Sequence, residues 1–133
     1  MKRFQYYQPN KLDLKDEYGD CTIRALSKVL NVTWLEAFNK TIPLCQEYQL
    51  MPNYMFFARS AKETAKALGL EHHSISTKKG AKRPTVDSFA KDHPTGRFIC
   101  KVAHHVVAVV DGKYYDTWDS GHKSLYGYFE VKE

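Results

Sequence analysis

Apolar residues in the first half of the chain recur every three to four positions, which is typical of helices with one buried face. The first helix is predicted to run from about Asp20 to Leu30, with Asp20 as its N-cap. Thr33 and Glu36 form a capping-box pattern that predicts the start of a second helix. We expect that helix to end before Pro43, because proline removes a backbone donor and clashes with the preceding turn.

The helical pattern returns after Pro52 and continues to Gly69, a residue type that commonly follows the end of a helix. Residues 70–77 predict a short strand at a sheet edge. Thr85 is placed to cap a further short helix. Ahead of all these elements, residues 4–8 are predicted to form an extended arm.

From residue 97 onward the pattern changes to alternation, which is typical of β-strands. Residues 97–102 predict a half-buried strand, and the continuously apolar run 106–110 predicts a central one. Asp111-Gly112 is a strong signal for a two-residue hairpin loop, after which 113–118 returns as a strand. A last strand is expected at 126–131. Helices followed by an antiparallel sheet predict an α+β fold.

The composition is that of a soluble globular protein. With 133 residues, of which 43% are apolar, the chain is predicted to form one domain spanning 1–133. No apolar run approaches the roughly 20 residues of a membrane span, and the N-terminus lacks the apolar segment of a secretory signal. We therefore predict a cytoplasmic protein that does not associate with membranes.

Cysteine and histidine spacing argues against disulfides and metals. Three widely spaced cysteines are an odd number, which favours a reducing compartment over a disulfide framework. The adjacent histidines at 72–73 and 104–105 would point to opposite faces of a strand, so each pair is a poor chelate. No Cys-x-x-Cys or His-x-x-x-His spacing occurs, and we predict neither a metal site nor a cofactor.

Cys21 is the candidate nucleophile. The turn signal Gly19-Asp20 places it on the first residue of the first predicted helix. The partial positive charge of a helix N-terminus favours the thiolate, so the thiol pKa should be lowered. Unpaired N–H groups at the same place could hold an oxyanion. Cys45 and Cys100 lack these signals and are expected to be small buried apolar residues.

His105, at the mouth of the central predicted strand, is the candidate partner. If the hairpin loop has two residues, Asp116 lies diagonal to His105 and within reach of its ring. A three-residue loop would instead place Asp119 opposite His105. His104 points to the other face and is the weaker candidate. A thiolate, an imidazole and a carboxylate are the groups that nucleophilic acyl transfer needs.

These residues resemble the papain-like cysteine peptidase superfamily. The resemblance rests on Gly-Asp-Cys at a helix start, a late histidine that opens an apolar strand, and the run Asp116-Thr117-Trp118. The segments Cys-Thr-Ile-Arg-Ala-Leu and Tyr-Asp-Thr-Trp-Asp-Ser are also similar to small proteins of phages and Firmicutes. The resemblance implies a papain-like fold with the cysteine at the start of the first helix and the helices packed on a C-terminal antiparallel sheet.

The resemblance also implies roles for individual residues. Cys21 would be the nucleophile, His105 the general acid and base, Asp116 the group that orients the imidazole, and Trp118 the shield of that contact. The superfamily usually places a glutamine several residues before the cysteine as an oxyanion donor. Here Lys15 lies six residues before the cysteine, and the nearest upstream glutamine is Gln8. Three alternatives remain: Gln8 approaches from the arm, backbone N–H groups suffice, or turnover is absent.

Three functions are consistent with the sequence. The first is a cysteine peptidase-type hydrolase or acyl transferase that acts on a peptide, isopeptide or amide bond of a protein or peptide. The second is a catalytically silent papain-like binding module, for instance a phage-encoded one that engages a host factor. The third is a small basic nucleic-acid binder, suggested by the net charge of +5 and the nine tyrosines. The charge permits acidic partners without requiring nucleic acid, and the oligomeric state is left open.

Overall fold

The computed structural model describes residues 2–76 and 78–132, and within them the chain forms an α+β fold. Its helices are α1 (Cys21–Leu30), α2 (Trp34–Tyr48), α3 (Ala61–Ala67) and α4 (Val86–Asp92), with a 3₁₀ turn at Pro52–Tyr54. Its strands are β1 (Phe4–Tyr6), β2 (Leu70–Ser74), β3 (Arg97–Val102), β4 (His105–Val110), β5 (Lys113–Asp116) and β6 (Gly127–Val131). No helix in these two ranges is long and apolar enough to cross a membrane.

The sheet is mixed: its C-terminal strands pair antiparallel as predicted, and the N-terminal strand β1 adds one parallel pairing that was not predicted. The strand order is β1-β5-β4-β3-β6-β2. Every neighbouring pair is antiparallel except β1 and β5, which run parallel. The predicted N-terminal arm supplies the parallel strand, and Tyr6 pairs with Asp116. The arm therefore lies against the end of β5 that carries the candidate carboxylate.

Each face of the sheet has its own apolar core. In the first core, side chains of α1, α2 and α3 pack on the sheet, and Phe56 contacts Phe129 with ring centroids 4.5 Å apart. In the second core, α4 covers the opposite face, and Phe89 packs against Phe98 of β3 and Tyr128 of β6. Residues 106–109 of β4 are all buried because a core lies on both sides. That position explains the continuous apolar run in the sequence.

The hairpin between β4 and β5 has the predicted two-residue loop. Asp111 and Gly112 both have positive φ angles, 49° and 80°, which a type I′ turn requires. Val110 pairs with Lys113 across the turn. The three-residue alternative is therefore wrong, and the register that brings Asp116 toward His105 is the one observed.

Two helix boundaries differ from the prediction. α2 continues through Pro43 to Tyr48, although proline costs one backbone hydrogen bond. Leu44 and Cys45, directly beyond the proline, pack against the first core, and their burial offsets that loss. The helix expected after Pro52 is reduced to α3, which is followed by Gly69 in the left-handed region as predicted.

The remaining elements follow the predictions. Thr33 and Glu36 form the capping box of α2. Thr85 caps α4 in a second capping box, which it forms with Ser88. The predicted edge strand at 70–77 is β2, which ends at Ser74, and Thr77 lies outside the described residues. The sequence pattern therefore predicted these helix starts, which depend on hydrogen bonds between neighbouring residues.

Candidate active site

The N-terminus of α1 meets the β4–β5 hairpin at one place. Cys21 is the first residue of α1, His105 the first residue of β4, and Asp116 the last residue of β5. α1 packs directly on β4 and β5, so these three ends converge. Residues separated by up to 95 positions in the sequence therefore lie side by side.

His105 bridges the cysteine and the carboxylate. Its Nε2 lies 2.6 Å from Oδ2 of Asp116, and its ring lies close enough to the Cys21 thiol to lower the thiol pKa. Because Asp116 occupies Nε2, Nδ1 is the ring nitrogen left for the sulfur. The structure thus brings together the three residues that the sequence singled out, in the order thiol, imidazole, carboxylate.

The pKa of His105 is strongly perturbed. Burial by itself would lower it, because the interior disfavours the charged imidazolium. The hydrogen bonds and negative charges of Asp116 and Cys21 outweigh burial and raise the pKa of His105 from 6.5 to about 9. The imidazole is therefore protonated at neutral pH when the thiolate is present.

The pKa of Cys21 moves the other way. Burial would raise it, but the hydrogen bond and positive charge of His105 outweigh that effect, and the Val106 N–H and the charge of Arg24 add to the lowering. The pKa of Cys21 consequently falls below the usual 9.0. Burial raises the pKa of both Cys45 and Cys100, so of the three thiols only Cys21 is activated.

Asp116 is held by four donors. Its Oδ1 accepts from the Arg24 guanidinium at 3.3 Å and from the Thr117 N–H at 2.8 Å. Its Oδ2 accepts from His105 and, at 2.9 Å, from the Ser120 hydroxyl. The side chain is only 2% exposed. A carboxylate with this many fixed partners is rigidly placed, and it holds the imidazole in one orientation.

Asp20 does not cap α1 as predicted. It occupies the N-cap position, but its side chain makes no capping hydrogen bond. Its carboxylate instead pairs with Arg24 and accepts from the Trp34 indole N–H at 2.8 Å. An ion pair with a buried arginine competes successfully with capping. The N–H groups of the first turn of α1, beside Cys21, are left without a side-chain cap.

Trp118 covers the imidazole. The centroids of its ring and the His105 ring are 5.0 Å apart, and Trp118 is 42% exposed to solvent. Asp119, the alternative partner, does not contact the imidazole among the described interactions. It accepts from the Tyr114 hydroxyl at 2.6 Å and from the Gly121 N–H at 3.0 Å. Asp119 therefore stabilises the turn after β5.

Gln8 does not supply an amide to the thiol. Its Nε2 donates to Asp16 at 2.9 Å and to Asp13 at 3.3 Å, and its Oε1 accepts from the Asn10 N–H. The whole amide is used to hold the loop after β1. The alternative in which Gln8 approaches the cysteine from the arm is therefore wrong.

A cleft of about 480 Å³ opens above the thiol. It is lined by Cys21, Asn53, Tyr54, Phe57 and His104. The Asn53 Oδ1 lies 3.9 Å from the Cys21 sulfur, and its Nδ2 donates to the Gly19 carbonyl. Asn53 therefore ties the 3₁₀ turn to the segment that carries the cysteine.

Sequence reasoning missed Arg24, Asn53 and Ser120. Arg24 had a weak signal, because an acidic residue at 20 and a basic residue at 24 are spaced for a helical ion pair. Asn53 and Ser120 had none. They lie in irregular segments, and only the tertiary fold brings them to the site.

One group of potential metal ligands occurs in the described part of the chain, away from the predicted residues. Glu71, His73 and Glu130 place one donor atom each within 4.8 Å of one another. They lie on β2 and β6, at the sheet edge opposite β1. The Cys21 site is separate from this group and holds a thiol, an imidazole and a carboxylate.

Comparisons of the chain with protein-family models, with curated proteins and with solved structures give no match. The geometry around Cys21 is therefore the observation on which a functional conclusion rests.

Proposed function

We propose that the protein is a cysteine hydrolase or acyl transferase with a papain-like fold, acting on a peptide, isopeptide or amide bond of a protein or peptide. The observation that carries the proposal is the convergence of Cys21, His105 and Asp116, in which the imidazole is hydrogen-bonded to the carboxylate and lies close enough to the thiol to lower its pKa. The lowered pKa of the thiol and the raised pKa of the imidazole favour a thiolate–imidazolium pair.

The arrangement supports a two-step reaction. In the first step the Cys21 thiolate attacks the carbonyl carbon, and the imidazolium of His105 donates its proton to the leaving amine as the carbon–nitrogen bond breaks. In the second step water, or another amine, attacks the thioester while His105 accepts its proton. The thiolate is released and the imidazolium is restored. Asp116 keeps the imidazole oriented throughout.

The uncapped first turn of α1 is the natural oxyanion site in this proposal. Its N–H groups carry the partial positive charge of the helix N-terminus, and the diversion of Asp20 to Arg24 leaves them without a competing carboxylate. In this proposal backbone donors take the place of the glutamine that papain-like peptidases usually supply. This is the second of the three alternatives stated from the sequence.

The first experiment is site-resolved alkylation with iodoacetamide at pH 6.5, analysed by peptide mass spectrometry. We expect Cys21 to react at least about tenfold faster than Cys45, because only its pKa is lowered. His105→Asn should remove the advantage, and Cys45→Ala is the matched control. Equal rates for the two cysteines in the wild-type chain would contradict the proposal.

The second experiment measures turnover of peptidyl aminomethylcoumarin substrates by wild type and Cys21→Ala. Release that depends on Cys21 supports an acyl-transfer enzyme. A reactive Cys21 without any turnover would favour the silent binding module, for which the one supporting observation is that Gln8 is committed to the loop after β1.

Nucleic-acid binding has little support. Six tyrosines lie in or beside strands β1, β5 and β6; of these Tyr114 is buried, and Tyr7, Tyr115 and Tyr128 are partly buried. Tyr6 and Tyr126 are exposed, but they lie on different parts of the sheet surface. A stacking platform needs neighbouring exposed rings. The cytoplasmic location stays a prediction.

A further inference from the structure

Three side chains with metal-binding atoms meet at the β2–β6 edge of the sheet, outside the candidate active site. Glu71 and His73 lie two positions apart on β2, so their side chains leave the same face of the strand. Glu130 is the β6 residue directly opposite Glu71. One donor atom of each residue lies within 4.8 Å of the other two. An imidazole and two carboxylates are therefore brought together across two strands.

This cluster does not use neighbouring histidines as a chelating pair. His72 contacts Phe129 of the first core, with ring centroids 5.0 Å apart. His73 instead stacks on Tyr128, which packs against the second core on the opposite face of the sheet. The two histidines thus point apart, as the sequence predicted. The sequence did not reveal the register of β2 and β6, which brings Glu130 beside His73.

The distances within the cluster fit a metal ion. Nε2 of His73 lies 3.1 Å from Oε1 of Glu71 and 3.1 Å from Oε1 of Glu130. Two ligands of a zinc ion with bonds of about 2.1 Å are separated by about 3.0–3.4 Å, for octahedral or tetrahedral coordination. Nε2 can carry only one proton, so it cannot donate fully to both oxygens. A cation among the three atoms accepts an electron pair from each of them.

Packing holds the imidazole in place for such an ion. The rings of His73 and Tyr128 stack with centroids 4.9 Å apart and planes 18° apart. The ring is therefore fixed while its Nε2 faces the two carboxylates. The Glu71 and Glu130 side chains are partly exposed, so they can rotate onto an ion, and solvent can supply further ligands.

The charge of the cluster also favours a cation. Glu71 and Glu130 are directly opposite each other on neighbouring strands, and like charges in that arrangement destabilise a sheet. Lys132 approaches the Glu71 end, where its Nζ lies 3.8 Å from Oε1. Both side chains of that pair are half-exposed, so solvent weakens the contact. A divalent ion would neutralise both carboxylates at once.

We propose that Glu71, His73 and Glu130 bind a divalent transition-metal ion such as Zn²⁺, and that the ion joins the edge strand β2 to β6. One nitrogen and two oxygen donors suit Zn²⁺ and its first-row neighbours, whereas Ca²⁺ sites use oxygen ligands. Three protein ligands leave the remaining coordination positions to water. The site is independent of the reaction proposed at Cys21.

The test is calorimetric titration of Zn²⁺ into the untagged, chelator-treated chain. Cys21→Ala is the parent, because a thiolate beside an imidazole can itself bind zinc. We expect one Zn²⁺ ion per chain, with saturation below about 0.1 mM. His73→Asn, Glu71→Gln and Glu130→Gln should each weaken binding by at least about tenfold, because each removes one ligand.

Two exposed residues outside the cluster give matched controls. His122→Asn and Glu63→Gln make the same chemical changes elsewhere on the surface, and they should leave the Kd for Zn²⁺ unchanged. Thermal unfolding in EDTA checks that every variant is folded, and the midpoints of the three ligand variants should match that of the parent.

Amide hydrogen exchange tests whether the ion joins the strands. Zn²⁺ should slow exchange in β2 of the parent by at least about threefold, because binding stabilises the paired state of the edge strand. The His73→Asn derivative of the parent should show no such change.

The outcomes are distinct. Saturation only at millimolar Zn²⁺, or equal affinity in the parent and the three ligand variants, would overturn the site. Tight binding without slower exchange in β2 would overturn the joining of the strands. None of these measurements depends on Cys21, so their failure would leave the proposed function unaffected.

Discussion

Two histidines in this protein contact carboxylates in very different surroundings. His105 lies 2.6 Å from Asp116, and the two side chains are 11% and 2% exposed. His73 lies 3.1 Å from both Glu71 and Glu130. The side chains of that second cluster are between 33% and 50% exposed.

The comparison shows that side-chain chemistry alone does not make a reactive site. Both histidines follow another histidine in the sequence, and both lie on strands. Solvent screens the His73 cluster, where an exposed ion pair contributes little. His105 is shielded by Trp118 and contacts a thiol, so the same imidazole–carboxylate contact raises its pKa to about 9. At His105 the interactions with Asp116 and Cys21 outweigh the opposing effect of burial.

The largest expected effect comes from removing Arg24, the cation that pairs with the buried carboxylates of Asp20 and Asp116. Arg24→Met leaves the buried carboxylate of Asp20 without a cationic partner and leaves Asp116 with His105 as its remaining one. We expect the free energy of unfolding, measured by urea denaturation, to fall by about 3–5 kcal/mol. Arg59→Met, at an exposed arginine, is the matched control and should change it by less than about 0.5 kcal/mol. A loss below about 1 kcal/mol for Arg24→Met would contradict the importance of this network.

The next effect concerns reactivity. Asp116→Asn keeps the shape of the side chain but removes its charge, so the pKa of His105 should fall and that of Cys21 should rise. We expect alkylation of Cys21 at neutral pH to slow by at least about tenfold. Glu130→Gln makes the same change in the exposed cluster and should have no effect on Cys21. If both substitutions slowed Cys21 alkylation equally, the distinction between the His105 and His73 sites would be lost.

The pH dependence of stability distinguishes the contributions of His105 and Cys21 by sign. The pKa of folded His105, about 9, lies above its ordinary 6.5, so its stabilisation is complete below pH 6.5 and is lost as the pH rises through about 9. The lowered pKa of Cys21 has the opposite sign, because that contribution is lost as the pH falls. Cys21→Ser removes this opposing contribution.

Urea denaturation of Cys21→Ser at several pH values tests the sign. Its stability should fall by roughly 1–3 kcal/mol, relative to Cys21→Ser, His105→Asn, as the pH rises from 6.5 to 9. This loss of stability is smaller than the wild-type pKa of His105 implies, because the thiolate that helps to raise that pKa is absent. A flat or rising difference would show that Asp116 does not raise the pKa of His105.

The smallest effect on stability is expected at the cluster of His73, Glu71 and Glu130. His73→Asn removes its contacts with Glu71 and Glu130, and the free energy of unfolding should change by no more than about 0.5 kcal/mol. Cys21 alkylation should be unaffected. A loss above about 1 kcal/mol in urea denaturation would show that exposure does not weaken this cluster as argued.

Local signals in the sequence predicted a large part of the fold. The capping boxes at Thr33 and Thr85 and the turn at Asp111-Gly112 are decided by residues within a few positions of one another. The extension of α2 through Pro43 was not predictable in this way, because contacts with the first core compensate for the lost hydrogen bond. The parallel pairing of β1 with β5 likewise joins segments about 110 residues apart.

The sequence by itself determined the α+β class, the helix-tip position of Cys21 and the hairpin register that directs Asp116 toward His105, since each depends on local geometry. The tertiary structure decided that Arg24 pairs with Asp116, and that Asp20 pairs with Arg24 and does not cap the helix. It also decided that Gln8 is hydrogen-bonded within the loop after β1. The physical reason is competition between partners. A buried charge pairs with the best group that the fold brings near it, and that group is known only when distant segments have packed together.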